Sequence, residues 1–237
     1  MDARFRTTQW SLVRAAGDSA HPECREALSS LCRTYWFPVY GYVRFRGNDP
    51  EAARELTQGF FAFLLDKKSV KAARPERGRF RTFLLTSVKN YLANERDRAL
   101  ARKRGGGAPV LSLDFETAES TLRLEPQERE TPETIFERRW AVSVLRQAMA
   151  RLERESQQAE KAELFRQLRP FLVGEGGGRP YSEVAANLEM SEPAVKVAIH
   201  RLRRKFGRLL REEVSQTLSD PALLDEEMRF LLGALSS

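Results

Sequence analysis

The stretch YSEVAANLEMSEPAVKVAIHRLRRKF, residues 181–206, contains two helical patterns in close succession and ends in a basic run. Apolar residues of the second pattern recur at helical spacing and predict a stripe that packs on a neighbouring helix. The stripe consists of Val195, Ile199, Leu202 and Phe206. Because each residue turns a helix by about 100°, the other positions predict an exposed, mostly cationic surface. That surface is formed by Val197, His200, Arg201 and Arg204, with Lys196 and Arg203 on its flank.

The first pattern turns its own apolar residues inward, and EMSE supplies a tight turn in which Ser191 is the expected N-cap of the second helix. The small side chain of Ala185 allows the two helices to cross closely. This arrangement predicts a helix-turn-helix, whose second helix enters a DNA major groove. Residues 193–211 hold seven Lys or Arg and no acid, which favours phosphate binding. The alternative is a solvated basic helix in an ordinary bundle.

The chain of 237 residues is basic, with a formal charge of +7 and a pI near 9.7. Such a charge favours a polyanionic partner, although ribosomal, DNA-binding and membrane-surface proteins share it. No window reaches the roughly 18 uncharged apolar residues of a membrane span. We therefore expect no membrane partner and a cytoplasmic location.

Cysteine and histidine are scarce. Cys24 and Cys32 lie too far apart on one helix for a disulfide, so we expect reduced thiols. The only histidines, His21 and His200, form no set of metal-ligand spacing with them. We expect no metal and no other cofactor.

Helical periodicity runs through most of the chain and alternating strand patterns are missing. We predict an all-α fold with two helical domains joined by a flexible acidic linker. The predicted boundaries are 1–104 for the first domain, 105–131 for the linker, 132–211 for the second domain and 212–237 for a C-terminal helical extension. Composition marks the linker, because Gly, Pro, Thr and acidic residues replace the helical pattern. The extension begins with a Ser-Asp-Pro cap signal and is expected to pack within the chain, covering the second domain, or to bind a regulator.

Two helices of the first domain are predicted most clearly. Residues 48–65, NDPEAARELTQGFFAFLL, give Asn48 or Asp49 as N-cap and Pro50 as the first helical residue. The predicted buried stripe of this helix is Leu56, Phe60, Phe63 and Leu64. The second helix begins near Phe80, and its predicted apolar face is Phe80, Phe83, Leu84, Val88, Tyr91 and Leu92.

Two blocks of the chain resemble one protein family. LCRTYWFPVYGYVRFRGNDPEAARELTQGFFAFLL, followed by FRTFLLTSVKNYLANERDRALARKR, resembles the sigma-2 domain of extracytoplasmic-function sigma factors of the sigma-70 family. The 181–206 stretch resembles their sigma-4 helix-turn-helix domain. The blocks stand in the family order and cover about 25–104 and 140–211. The resemblance implies a dissociable subunit that binds core RNA polymerase, directs transcription initiation at promoter DNA and catalyses nothing itself.

The resemblance also implies roles for individual residues. The minus-thirty-five element would contact Lys196, Val197, His200 and Arg201, followed by Arg203 and Arg204. The minus-ten element would contact Arg79, Phe80, Arg81, Lys89, Asn90, Tyr91 and Arg96. Polymerase would contact Glu51, Glu55, Thr57, Gln58 and Phe61. Capture of a single strand needs cations beside stacking surfaces, and the minus-ten set supplies both. The acidic linker would mimic nucleic acid inside the RNA path of the polymerase.

The polymerase-binding helix departs from the family pattern. Where the family usually carries a strongly acidic run, this chain reads AARELTQG, with Ala52 and Arg54 at positions that are often acidic. A phosphate on Thr57 would add about −1.5 to −2 charges, so we hypothesise that a kinase activates the protein. An anti-sigma factor is a further candidate partner.

Two other functions are compatible with a helix-turn-helix. One is an autonomous transcriptional regulator whose N-terminal domain senses a ligand or dimerises. The other is an enzyme that acts on nucleic acid, which the sequence disfavours because it offers no metal cluster and no nucleophile with a base. We predict that the protein is not an enzyme.

Overall fold

In the computed structural model, the described residues are 24–64, 79–101, 130–172 and 179–236. Every regular element in these ranges is helical, so the all-α prediction is confirmed for them. The eight α-helices within these ranges are α1 (Cys24–Phe45), α2 (Pro50–Leu64), α3 (Phe80–Ala101), α4 (Pro132–Gln158), α5 (Ala162–Leu168), α6 (Tyr181–Asn187), α7 (Glu192–Gln216) and α8 (Leu224–Ser236). Single 3-10 turns, Arg169–Phe171 and Pro221–Leu223, follow α5 and precede α8.

The chain divides into two compact units. Unit 1 takes the described residues of Met1–Val144 together with Val214–Ser237, and unit 2 is Leu145–Glu213. The division falls inside α4 and α7, whereas the predicted domains were separated by the segment 105–131. Most of that segment lies outside the described residues, so the linker and the domain boundaries stay predictions.

The core of unit 1 is aromatic. Its largest fully buried side chains include Tyr35, Tyr40, Phe60, Phe80, Phe136 and Trp140. The rings of Tyr35 and Phe80 meet edge to face at 5.1 Å between centroids, which joins α1 to α3. Phe60 and Tyr91 join α2 to α3 in the same way at 5.7 Å. The first turns of α4 belong to this core, because Phe136 and Trp140 have no exposed surface.

Helix α2 begins where the sequence predicts. Asp49 is its N-cap, because the Asp49 carboxylate accepts a hydrogen bond from the backbone N–H of Ala52 at 2.9 Å. The predicted buried stripe needs correction. The residues that α2 buries are Ala53, Thr57, Phe60, Phe61 and Leu64. Leu56 is only half-buried, and Phe63 is 38% exposed.

The predicted apolar face of α3 is largely confirmed. Phe80, Leu84, Val88 and Tyr91 are buried, and Phe83 and Leu92 are half-buried at its margin. Cys32 of α1 is a buried free thiol, and burial raises its pKa to about 11.

Unit 2 has a smaller core of its own. It is formed by Leu168, Phe171, Val184, Ala185, Val195 and Ile199. These residues come from α5, the following 3-10 turn, α6 and α7, so the helix-turn-helix pair packs on the segment that precedes it. Within the described ranges, no helix is both long and apolar enough to cross a membrane.

Gly59 of α2 allows the close approach of α3. A Cβ atom at Gly59 would lie 2.3 Å from the Tyr91 hydroxyl oxygen and 3.5 Å from the ring carbon that carries it. The first distance is a clash, whereas the second is ordinary van der Waals contact. Any larger side chain at this position would therefore force the Tyr91 side chain to move.

We expect Gly59→Ala to lower the free energy of unfolding by about 1–3 kcal/mol, because overpacking outweighs the helix propensity of alanine. Urea unfolding followed by circular dichroism measures the change. Gly233→Ala, in α8, is the matched control, since nothing lies within 4 Å of its added Cβ. Tyr91→Phe should rescue Gly59→Ala by removing the clashing oxygen. Equal losses with and without Tyr91→Phe would show that the hydroxyl is not the obstacle.

Candidate nucleic-acid interface

Helices α6 and α7 form the predicted helix-turn-helix pair. A short turn joins them, in which Glu189 has a φ of 52°, a left-handed conformation that closes the turn. Ser191 caps α7, with its hydroxyl oxygen accepting a hydrogen bond from the Ala194 N–H at 3.4 Å. Val184 and Ala185 of α6 are buried, as the sequence predicts.

The two faces of α7 separate as predicted. Val195 and Ile199 are buried, with Leu202 and Phe206 half-buried beside them. On the opposite face Val197 is 49% exposed, and His200, Arg201 and Arg204 are also exposed. An exposed apolar side chain between cations is suited to contact with a thymine methyl group in a major groove.

Lys196 lies beside an aromatic pair. Its ammonium nitrogen is 5.4 Å from the centroid of the Tyr181 ring, and that ring stacks on Phe171 at 5.4 Å. Tyr181 begins α6, so it links the first helix of the pair to the second. A cation–π contact at an exposed site contributes about 0.5–1 kcal/mol, which favours one orientation of Lys196.

Arg203, a predicted minus-thirty-five contact, is exposed and also has a hydrogen-bond partner within unit 2. Its guanidinium donates a hydrogen bond to the backbone carbonyl of Phe171 at 2.9 Å. Phe171 ends the segment on which the helix pair packs, and Arg203 therefore ties α7 to that segment. This hydrogen bond helps to hold α7 in place, and the exposed Arg203 stays a predicted DNA contact.

The predicted minus-ten residues of α3 divide into buried and exposed groups. Phe80 is fully buried, Arg81 is 6% exposed and Tyr91 is 8% exposed. Lys89, Asn90 and Arg96 are exposed, and Arg79 is half-buried. Phe80 and Tyr91 cannot stack on a base in this conformation, because their rings pack against Tyr35 and Phe60. Their aromatic character is accounted for by the core.

A cleft of about 810 Å³ in unit 1 brings two of the exposed cations together. Its lining residues are Arg46, Asn48, Leu56, Lys89, Leu92, Ala93, Glu95, Arg96 and Asp97. The sequence predicted Lys89 and Arg96 as minus-ten contacts but did not single out Arg46, which follows α1. The volume of the cleft lies within the range of about 300–1,000 Å³ that is typical of ligand pockets. Three cations and two acids, Glu95 and Asp97, line the cleft together with apolar side chains, so its charge favours a phosphate only by a small excess.

Lys89 is held at the edge of this cleft by Glu133. The Lys89 ammonium and the Glu133 carboxylate are 2.8 Å apart. This hydrogen bond raises the pKa of Lys89 and lowers the pKa of Glu133. Because both side chains are partly exposed, the pair contributes at most about 1 kcal/mol, and a phosphate could replace the carboxylate.

The predicted polymerase-binding residues also divide. Glu51 and Glu55 are exposed and Gln58 is half-buried, so all three are reachable from solvent. Thr57 and Phe61 are buried in unit 1, which corrects their assignment. The Thr57 hydroxyl donates a hydrogen bond to the Ala53 carbonyl at 2.7 Å. A kinase could not reach Thr57 in this conformation, which argues against the phosphorylation hypothesis.

Two acidic residues of α8 were not singled out by sequence. Glu226 and Glu227 contact Arg79 and Arg81, the cations at the start of α3. The sequence does show that the first turn of α8 is acidic. Acidic residues are common in the first turn of any helix, because the helix dipole favours them there, so this feature did not indicate a partner. Nothing in the local sequence indicates that arginines more than a hundred residues earlier would be the partners.

No protein-family model, curated protein or solved structure matches the chain. The family resemblance therefore rests on the quoted sequence blocks.

We expect Arg203→Ala to lower the free energy of unfolding of unit 2 by about 1 kcal/mol, since one hydrogen bond is lost. Arg204→Ala, the adjacent exposed arginine, is the control and should change stability by less than about 0.5 kcal/mol. Chemical denaturation with hydrogen exchange of α6 and α7 amides measures both. Equal effects of the two substitutions would contradict the supporting role of Arg203.

We expect Thr57→Glu to cost more than about 3 kcal/mol of stability, because it places an unpaired charge in the core. Thr57→Val keeps the shape of the side chain and should cost at most about 1.5 kcal/mol. Thermal unfolding of the two variants measures the difference. A Thr57→Glu protein as stable as the Thr57→Val protein would reopen phosphorylation at this site.

Proposed function

We propose that this protein is a sigma factor of the extracytoplasmic-function group, which binds core RNA polymerase and directs promoter-specific transcription initiation. The observation that carries the proposal is the helix-turn-helix, in which α7 exposes Val197, His200 and Arg201 opposite a buried stripe. These positions match the DNA-facing positions of the family. The sigma-2-like block, standing before it in the family order, favours a sigma factor over other helix-turn-helix proteins.

In this function α7 lies in the major groove of the minus-thirty-five element. Arg201 is suited to a guanine edge, because a guanidinium donates to both O6 and N7. Arg204 contributes phosphate contacts, which fix the register of the helix on the duplex. Lys196 contacts the DNA as well, and its position over the Tyr181 ring orients it for that contact.

The minus-ten element engages the exposed cations of unit 1. Arg46, Lys89 and Arg96 attract the backbone of an opened strand into the cleft that they line. Polymerase contacts the exposed face of α2 through Glu51, Glu55 and Gln58. This chain binds and positions DNA, and RNA synthesis belongs to the core enzyme.

Specificity arises when polymerase holds both DNA-reading modules at a fixed distance. Each module alone makes few contacts, so the free protein binds promoter DNA weakly, whereas two linked modules gain avidity. An autonomous regulator, the second candidate, has the opposite signature. It binds its operator tightly without polymerase.

Mixing the purified protein with core polymerase, followed by size exclusion and run-off transcription from a promoter pool, tests the proposal. We expect co-elution and initiation at a subset of promoters. Sequencing the active templates then yields both promoter elements. No binding to core polymerase, together with tight DNA binding by the protein alone, would establish the autonomous regulator instead.

We expect Arg201→Ala to reduce initiation at selected promoters by about 10-fold or more, since one bidentate base contact is worth about 1–3 kcal/mol. Arg154→Ala removes an exposed arginine of α4 in the same unit and is the matched control. Binding to core polymerase should be unchanged in both variants. Equal losses for the two variants would indicate that only overall charge matters.

A further inference from the structure

The start of α8 places two acids on the start of α3. Glu226 and Arg79 form an ion pair, and the Arg79 Nε lies 2.6 Å from an oxygen of Glu227. The other oxygen of Glu227 is 2.6 Å from the Arg81 Nε. A single carboxylate is thus shared by two arginines, and a second carboxylate stands beside it.

The surroundings of Arg81 exclude water. Glu227 has no exposed surface. The Phe230 ring of α8 covers the Arg81 guanidinium, with 3.6 Å between the guanidinium carbon and the ring centroid. The Trp140 ring of α4 lies 5.4 Å from the same carbon. Helix α8 therefore supplies the closer carboxylate and the closer ring, whereas α4 adds Trp140 and a second carboxylate, Glu137, at 3.4 Å from Arg81.

The geometry that binds a carboxylate also binds a phosphate. A guanidinium presents paired N–H donors that match either oxyanion, and the charge of the acceptor is similar. Arg79 and Arg81 belong to the set that the family resemblance assigns to minus-ten DNA. In the free protein both anions on Arg79 and the closer of the two on Arg81 come from α8, and Glu137 of α4 is the other partner of Arg81.

We infer that α8 is an acidic autoinhibitory segment, which holds Arg79 and Arg81 through Glu226 and Glu227 and leaves them when minus-ten DNA binds. This inference rests on the minus-ten part of the proposed function. A polyanionic strand competes with α8 for the same cations. Closure of α8 therefore reduces the apparent affinity for DNA to the intrinsic affinity multiplied by the open fraction of molecules.

The ion pairs make such an exchange feasible. A buried ion pair gives little net stability, because desolvation offsets much of the attraction, but a lost partner must be replaced. Phosphate provides that replacement. Glu226 is the accessible point of entry, since its side chain is 56% exposed whereas that of Glu227 is not exposed at all.

The first experiment uses the full-length protein and a short fluorescein-labelled single-stranded DNA of random sequence, followed by fluorescence anisotropy. Glu226→Gln weakens closure and should tighten binding roughly 2- to 5-fold, the effect of one exposed ion pair. Leu232→Lys changes the net charge equally at an exposed position of α8 and is the matched control. We expect less than about half of the Glu226→Gln effect from it. Equal tightening by both variants would overturn the inference.

The second experiment rests on the wild-type protein, with one variant added for comparison. Hydrogen–deuterium exchange compares α8 amides in the free protein with those in the complex with core polymerase and promoter DNA. We expect α8 to lose protection in the complex and Glu227→Gln to lose it already in the free protein. Protection of α8 that is unchanged in the complex would overturn the inference.

The two failures can be told apart. If the wild-type protein neither binds core polymerase nor initiates, the proposed function fails. If it binds and initiates while Glu226→Gln leaves DNA binding unchanged, only the autoinhibitory role of α8 fails.

Discussion

In the free protein the buried carboxylate of Glu227 is the constraint that joins α8 to the rest of unit 1. A charge without exposed surface is tolerated only when partners replace its hydration, and Arg79 and Arg81 do so at 2.6 Å each. Satisfying it fixes the first turn of α8 against the first turn of α3. Trp140 then completes the site from α4, and its ring also meets Phe230 at 6.2 Å. Three segments that are distant in sequence are held in one arrangement by this cluster.

The cluster also explains why the sequence could not assign these arginines. An arginine at the start of an amphipathic helix is equally suited to phosphate and to carboxylate. Arg81 and Arg201 therefore look alike in sequence, yet one is buried under an aromatic ring and the other is exposed. The deciding factor is the position of α8, which depends on long-range packing. Local pattern predicted the helix of each arginine but not its partner.

Local signals predicted the helices well and their buried faces less well. Asp49 and Ser191 cap their helices through bonds to residues three positions ahead, so the sequence contains the whole interaction. The predicted buried face of α2 is rotated slightly from the observed one. The prediction ranked residues by hydrophobicity, which places Phe63 in the core ahead of Thr57. The helix instead turns Ala53 and Thr57 inward, where small side chains allow close packing and the Thr57 hydroxyl is satisfied by its own helix. Ranking by hydrophobicity overlooks such small buried positions.

The basic run of α7 serves two purposes, which its charge alone does not separate. Arg203 binds the Phe171 carbonyl, Lys205 pairs with Glu155 at 2.9 Å, and Arg208 pairs with Glu212 at 2.8 Å. These cations have partners within unit 2, although Arg203 and Arg208 are exposed. The salt dependence of DNA binding scales with the number of phosphates neutralised, so the full run overstates that number. The number of neutralised phosphates depends on the cations that face solvent beside Val197. The other cations of the run help to hold the recognition helix in place.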